Sequence, residues 1–195
     1  MRDRWEGYVS NLESGDSDRA NEAIDEIKNM ALEERIELFE VCFDELTEMY
    51  AAADEGYVRQ SIVRVAEQLT PGIPTVVALD NDDRSLDVDA SEIRKQTDAL
   101  CGFLLEAITD DDGRVRQSAK RGLKDILRTY DALEDEETIE ALMLELDEMA
   151  AEASGKQQQH LQETKAEARS TLQSGLARLV EGFQEEFGDS LQSDR

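Results

Sequence analysis

Histidine occurs once in this 195-residue chain, tryptophan once, proline and cysteine twice each, and lysine only six times. Each scarcity excludes something. His160, in the Gln-rich run 156–162, has no second histidine for an imidazole metal set and no neighbouring nucleophile for a Cys-His or Ser-His pair. Cys42 and Cys101 both fall on the apolar sides of expected helices, which suits two small buried thiols better than a bridge. Pro71 and Pro74 stand together, so helix is interrupted by proline in one region only. No stretch approaches the roughly 18 apolar residues of a membrane span. The opening Met1-Arg-Asp-Arg-Trp-Glu lacks the apolar core of a signal peptide, and the expected location is the cytoplasm. There is no Walker-type glycine loop, and nothing in the sequence implies a cofactor or a convergent catalytic site.

What the chain has in excess is carboxylate. Asp and Glu number 47 against 21 Lys and Arg, a net charge of −26. At ordinary ionic strength such an excess repels itself and weakens the compact state, whereas in molar salt the Debye length falls to about 3 Å and the repulsion largely disappears. Abundant acids with scarce lysine resemble the composition of proteins from halophiles that accumulate salt. High net charge also marks unfolded chains, but the periodic apolar faces below argue for folding.

Almost every segment has helical periodicity. Helices are expected at about 2–13, 17–30, 33–52, 57–70, 92–109, 113–130 and 135–153, with Ser91 as a cap for the fifth. Ile36, Leu38, Phe39, Cys42, Phe43, Leu46, Met49 and Tyr50 gather on one arc of the third, with carboxylates mostly opposite. Residues 71–91 have the weakest pattern and are expected to be an insertion or long loop within a helical domain spanning 1–153. A C-terminal amphipathic helix is expected at 154–188, serving as cap or interaction arm, followed by a flexible tail at 189–195.

The string Val-Arg-Gln-Ser occurs twice, at Val58–Ser61 and Val115–Ser118, each time after an acidic residue and a Gly and each time opening an apolar-periodic segment. A weaker third copy begins at Asp16, and Ala23, Ile62 and Ala119 then correspond. Repetition of a helix-opening pattern points to stacked helical units. Asp111, Asp112, Val115, Arg116, Ala119 and Leu123, and less completely Asp54, Val58, Arg59 and Ile62, resemble the HEAT-repeat (armadillo-type) superfamily. Ala66 replaces an expected Leu, and the first copy lacks Val-Arg. The resemblance implies stacked antiparallel helix hairpins in a right-handed α-solenoid whose curved surface binds other macromolecules. It also implies that Asp and Arg of the motif tie one unit to the next.

Two segments are candidate interaction sites. Gly113–Tyr130 carries Arg114, Arg116, Lys120, Arg121, Lys124 and Arg128 against Asp125 alone, a basic strip in an acidic protein. It is either a belt of internal ion pairs, above all with the acidic helix at 135–153, or an anion site for an acidic partner segment, a lipid headgroup or nucleic-acid phosphate. Nucleic acid is disfavoured: the surrounding field is negative, molar salt suppresses counterion release and the strip lacks aromatic rings for bases. The C-terminal stripe of Leu161, Leu172, Leu176, Leu179 and Phe183 either packs as the last helix or pairs with a partner helix or its own copy. A weaker resemblance to a calcium loop places Asp83, Asp87, Asp89 and Glu92 at ligand positions, but Asn81 stands first and Leu86 replaces the turn glycine. The expected function is a non-catalytic protein-binding scaffold, with polyanion binding and a carboxylate enzyme as alternatives.

Overall fold

The computed structural model describes residues 1–71 and 90–192, with side chains described as far as residue 173. Among these residues there are eight helices and no strand: α1 (Arg2–Glu13), α2 (Ser17–Lys28), α3 (Leu32–Ala52), α4 (Gly56–Leu69), α5 (Ala90–Ala107), α6 (Gly113–Ala132), α7 (Glu136–Glu152) and α8 (Gly155–Gln192). The architecture is all-α. The insertion expected at 71–91 falls almost wholly outside the described residues. The helices lie within about two residues of their expected bounds, with α5 beginning at Ala90, which puts Ser91 inside its first turn, except that α8 continues past Gly188 to Gln192.

The starts of α2, α6 and α7 follow from side-chain caps. Asp16 Oδ1 accepts the amides of Asp18 and Arg19 at 2.9 and 3.4 Å, Asp112 Oδ1 accepts that of Arg114 at 2.8 Å, and Asp135 Oδ1 that of Thr138 at 3.3 Å. Each satisfies amides that a helix leaves unpaired in its first turn, and replacing such a cap by Ala costs about 1 kcal/mol. Gly15 and Gly155 adopt φ of +70° and +61°, a left-handed conformation that lets the chain turn between helices without Cβ strain.

Consecutive helices pack on one another, α1 on α2, α3 on α4, α5 on α6 and α7 on α8, and the even-numbered helices also contact in series, α2 to α4 to α6 to α8. One hydrophobic core runs through all of them, from Trp5 to Ala168. Val115, Ala119, Leu123, Ile126 and Tyr130 recur at helical spacing in the sequence of α6 and form a buried face. Each fully buried Leu or Ile contributes about 1.5–3 kcal/mol. Aromatic rings join α3 to α5: Phe39 stacks on Phe43 at 4.7 Å, and Phe103 meets Phe43 and Tyr50 edge-on at 6.4 and 5.1 Å. Gly122 lets α5 approach α6 closely, since a Cβ there would lie 2.8 Å from Leu104 Cδ1. At the N-terminal edge, Trp5 Nε1 donates to Glu45 at 3.0 Å and fixes α1 on α3.

Candidate functional site

The two copies of Val-Arg-Gln-Ser open α4 and α6, and their arginines do the same local work. Arg59 Nη1 donates to the carbonyls of Ala53 and Asp54, both at 3.0 Å. Arg116 Nη1 donates to the carbonyls of Asp110 and Asp111, at 2.5 and 2.8 Å. In both copies a guanidinium reaches back over the turn and satisfies backbone carbonyls of the connection that precedes its helix.

The remaining edge of each guanidinium is where the copies part. Arg59 Nε and Nη2 grip the Asp110 carboxylate at 2.7 and 3.0 Å, and Tyr50 adds its hydroxyl to Asp110 Oδ2 at 2.8 Å. Burial pushes the Asp110 carboxyl up, but the bonds from Arg59, the Asp112 amide and Tyr50 outweigh it and hold the group below the usual carboxylate range. Asp112 sits against Gly56, where any Cβ would overlap its carboxylate, and Arg114 hydrogen bonds pull its pKa to about 2. Both acids come from the connection at 108–112. At the second copy the following connection is only 153–154 and contains no carboxylate. Arg116 Nε is accordingly buried without an acceptor among the described residues, and only Arg116 Nη2 lies near Gly113.

Beside Arg116 opens a cleft of about 490 Å³ between α4, α6 and the start of α8. Gln60 lines it from α4, the cap residue Asp112 with Gly113, Arg114, Arg116, Gln117 and Arg121 from the α6 side, and Lys156 and His160 from α8. Its cations are not equivalent. Arg114 is neutralised by Asp112 at 2.6 Å, and Arg121 donates to both oxygens of Glu67 at 3.0 and 3.3 Å. Arg116 and Lys156 have no carboxylate partner among the described residues. His160 is driven toward its neutral form by burial and then by the charges of Lys120 and Arg116, with Glu163 opposing, and its Nδ1 is buried without a partner among the described residues.

The rest of the basic strip is spoken for. Lys120 Nζ meets Glu163 at 2.6 Å, Lys124 Nζ meets Glu167 at 2.7 Å, and Arg128 pairs with Asp125 on its own helix at 3.0 Å. The helix that answers the strip is therefore α8, with Glu67 of α4, rather than the acidic α7. Sequence adjacency favours α7, but the basic face of α6 is turned toward α4 and α8, and α7 instead pairs with α8 through Asp147 and Lys165 at 2.5 Å.

No family model, curated protein or solved structure matches this chain.

Of the C-terminal stripe, Leu161 is fully buried and Leu172 packs against the core, together with Thr164 and Ala168, so this part of α8 is covered by its own chain. The side chains of Leu176, Leu179 and Phe183 lie outside the described residues. So do Asp83, Asp87 and Asp89 of the calcium-like loop, while Glu92 stands in the first turn of α5. Among the described residues no cluster of three His, Cys, Asp or Glu is placed to hold a metal, and no helix is long and apolar enough to cross a membrane. Cys42 and Cys101 are free and buried, and burial pushes both thiols up to about 12.

The residues that sequence reasoning missed are Gln60, Lys156 and His160. Gln60 and Gln117 are the repeated glutamine of the motif and both reach the cleft, which is the pattern that points to it. His160, partnerless in sequence, is brought beside Arg116 and Lys120 by packing of α8 on α6.

Proposed function

We propose that the chain is a non-catalytic scaffold built as a HEAT-like stack of four helix pairs, α1–α2, α3–α4, α5–α6 and α7–α8, adapted to a salt-rich cytoplasm. Its partner is another protein. The serial contact of α2, α4, α6 and α8 carries the reading, because in a one-dimensional stack each unit touches its neighbours and the second helices line one extended surface. The shared backward reach of Arg59 and Arg116 over their turns supports it. Short connections at 53–55, 108–112 and 153–154 favour antiparallel neighbours.

Polyanion binding along the strip is the weaker alternative, since Lys120, Arg121 and Lys124 are engaged by Glu163, Glu67 and Glu167. Affinity capture of the tagged protein from its own cytosol, at the salt that keeps it folded, separates the two readings. Recovery of a defined protein partner, unchanged after nuclease treatment, is the expected result. Recovery that disappears with nuclease contradicts the scaffold reading.

A further inference from the structure

The two copies of the motif differ at the outer edge of their arginine. At the first, the outer edge of Arg59 is closed by Asp110 and the space over Gly56 is occupied by Asp112. At the second, the same edge of Arg116 has no acceptor among the described residues, and a Cβ at Gly113 would meet only Arg116 itself. The shorter connection at 153–154 supplies Ser154, and Lys156 follows it.

We propose that the cleft between α4, α6 and the start of α8 is a binding site for a carboxylate or phosphate group, seated on the outer edge of Arg116 with Lys156 as its second cation. The template is the Arg59–Asp110 pair within the same chain: a planar guanidinium edge matches two oxygens of one oxyanion. Arg116 Nε is buried without an acceptor among the described residues, and Nη2 of the same edge lies over Gly113, where no side chain competes for the space. Gln60 and Gln117 add neutral donors at the wall. The chain's overall negative charge does not prevent this. In molar salt its field decays within about 3 Å, and the cations in the cleft without a carboxylate partner among the described residues are Arg116 and Lys156. The inference goes beyond the scaffold reading and stands whether or not a protein partner is found.

The single histidine gives the test a resident probe. The intact protein, in molar potassium chloride at constant ionic strength, is titrated in separate arms with inorganic phosphate and with a capped tri-aspartate peptide, and the His160 ring resonances are followed by NMR. A saturable shift in either arm is expected, and which arm saturates identifies the source of the oxyanion. The shift should weaken at least tenfold in Arg116→Gln and several-fold in Lys156→Gln. Lys156 is exposed and holds no ion pair among the described residues, so the second variant keeps the test informative if the first fails to fold. No saturable shift in either arm, or one unchanged by Lys156→Gln, overturns the proposal.

Discussion

Arg59 and Asp110, 51 positions apart, form a two-bond ion pair in which Asp110 keeps only 6% of its side-chain surface exposed. The pair fastens α4 to the connection between α5 and α6, on the far side of residues 72–89. Whatever is placed between Leu69 and Ala90, the two halves are joined by this contact and by the rings of Phe43, Tyr50 and Phe103.

The two motif glycines should respond oppositely to the same substitution. Gly56→Ala drives a methyl into Asp112, whose carboxylate also caps α6 and holds Arg114, so the side chain cannot yield without loosening the cap. A loss of about 1–3 kcal/mol is expected. Gly113→Ala meets only Arg116 Nη2, at 3.4 Å, and should be neutral or gain about 0.5 kcal/mol by restricting the unfolded chain. Urea denaturation of both variants checks this. Equal effects would mean that the joints are not different.

His160 should titrate below its ordinary value of 6.5. Burial opposes its charge first, then Lys120, Arg116 and Lys156 do, and only Glu163 favours it. Because the folded pKa is depressed, the unfolded chain takes up the proton first. Stability from this group is therefore present above pH 6.5 and declines as pH falls below it. An NMR titration in high salt should give a midpoint under 6.5, and Lys120→Gln should move it upward. A midpoint at or above 6.5 in the wild type would contradict the placement.

The helical periodicity was legible because it depends on local spacing: the buried faces of α3 and α6 are those that the sequence pattern marks. The caps at Asp16 and Asp112 are equally local, yet the only cap expected from the sequence is Ser91, which lies inside the first turn of α5. The cleft was not legible. It depends on the difference between connections at 108–112 and 153–154, which decides whether a carboxylate reaches the arginine of the unit before it. Nor could the wheel of α6 tell which neighbours its lysines face. Lys120 and Lys124 find Glu163 and Glu167, one face of α8 four residues apart, through packing that no local pattern encodes.

Salt should control folding if the −26 charge is an adaptation. Far-UV ellipticity is expected to hold at about 2 M potassium chloride and to fall as salt is lowered toward about 0.1 M, where the Debye length reaches about 10 Å. Full helicity at the low end would remove the salt-adapted reading.

The most direct test of the two-joint account is a paired measurement of Arg59→Ala and Arg116→Ala stability in urea at fixed molar salt. Both lose two carbonyl contacts, but only the first leaves a buried carboxylate, Asp110, without its cation. Arg59→Ala should therefore cost about 3 kcal/mol or more, and Arg116→Ala about 1 kcal/mol. Equal losses, or a larger loss at Arg116, would contradict the view that one motif makes a closed joint at α4 and an open cationic cleft at α6.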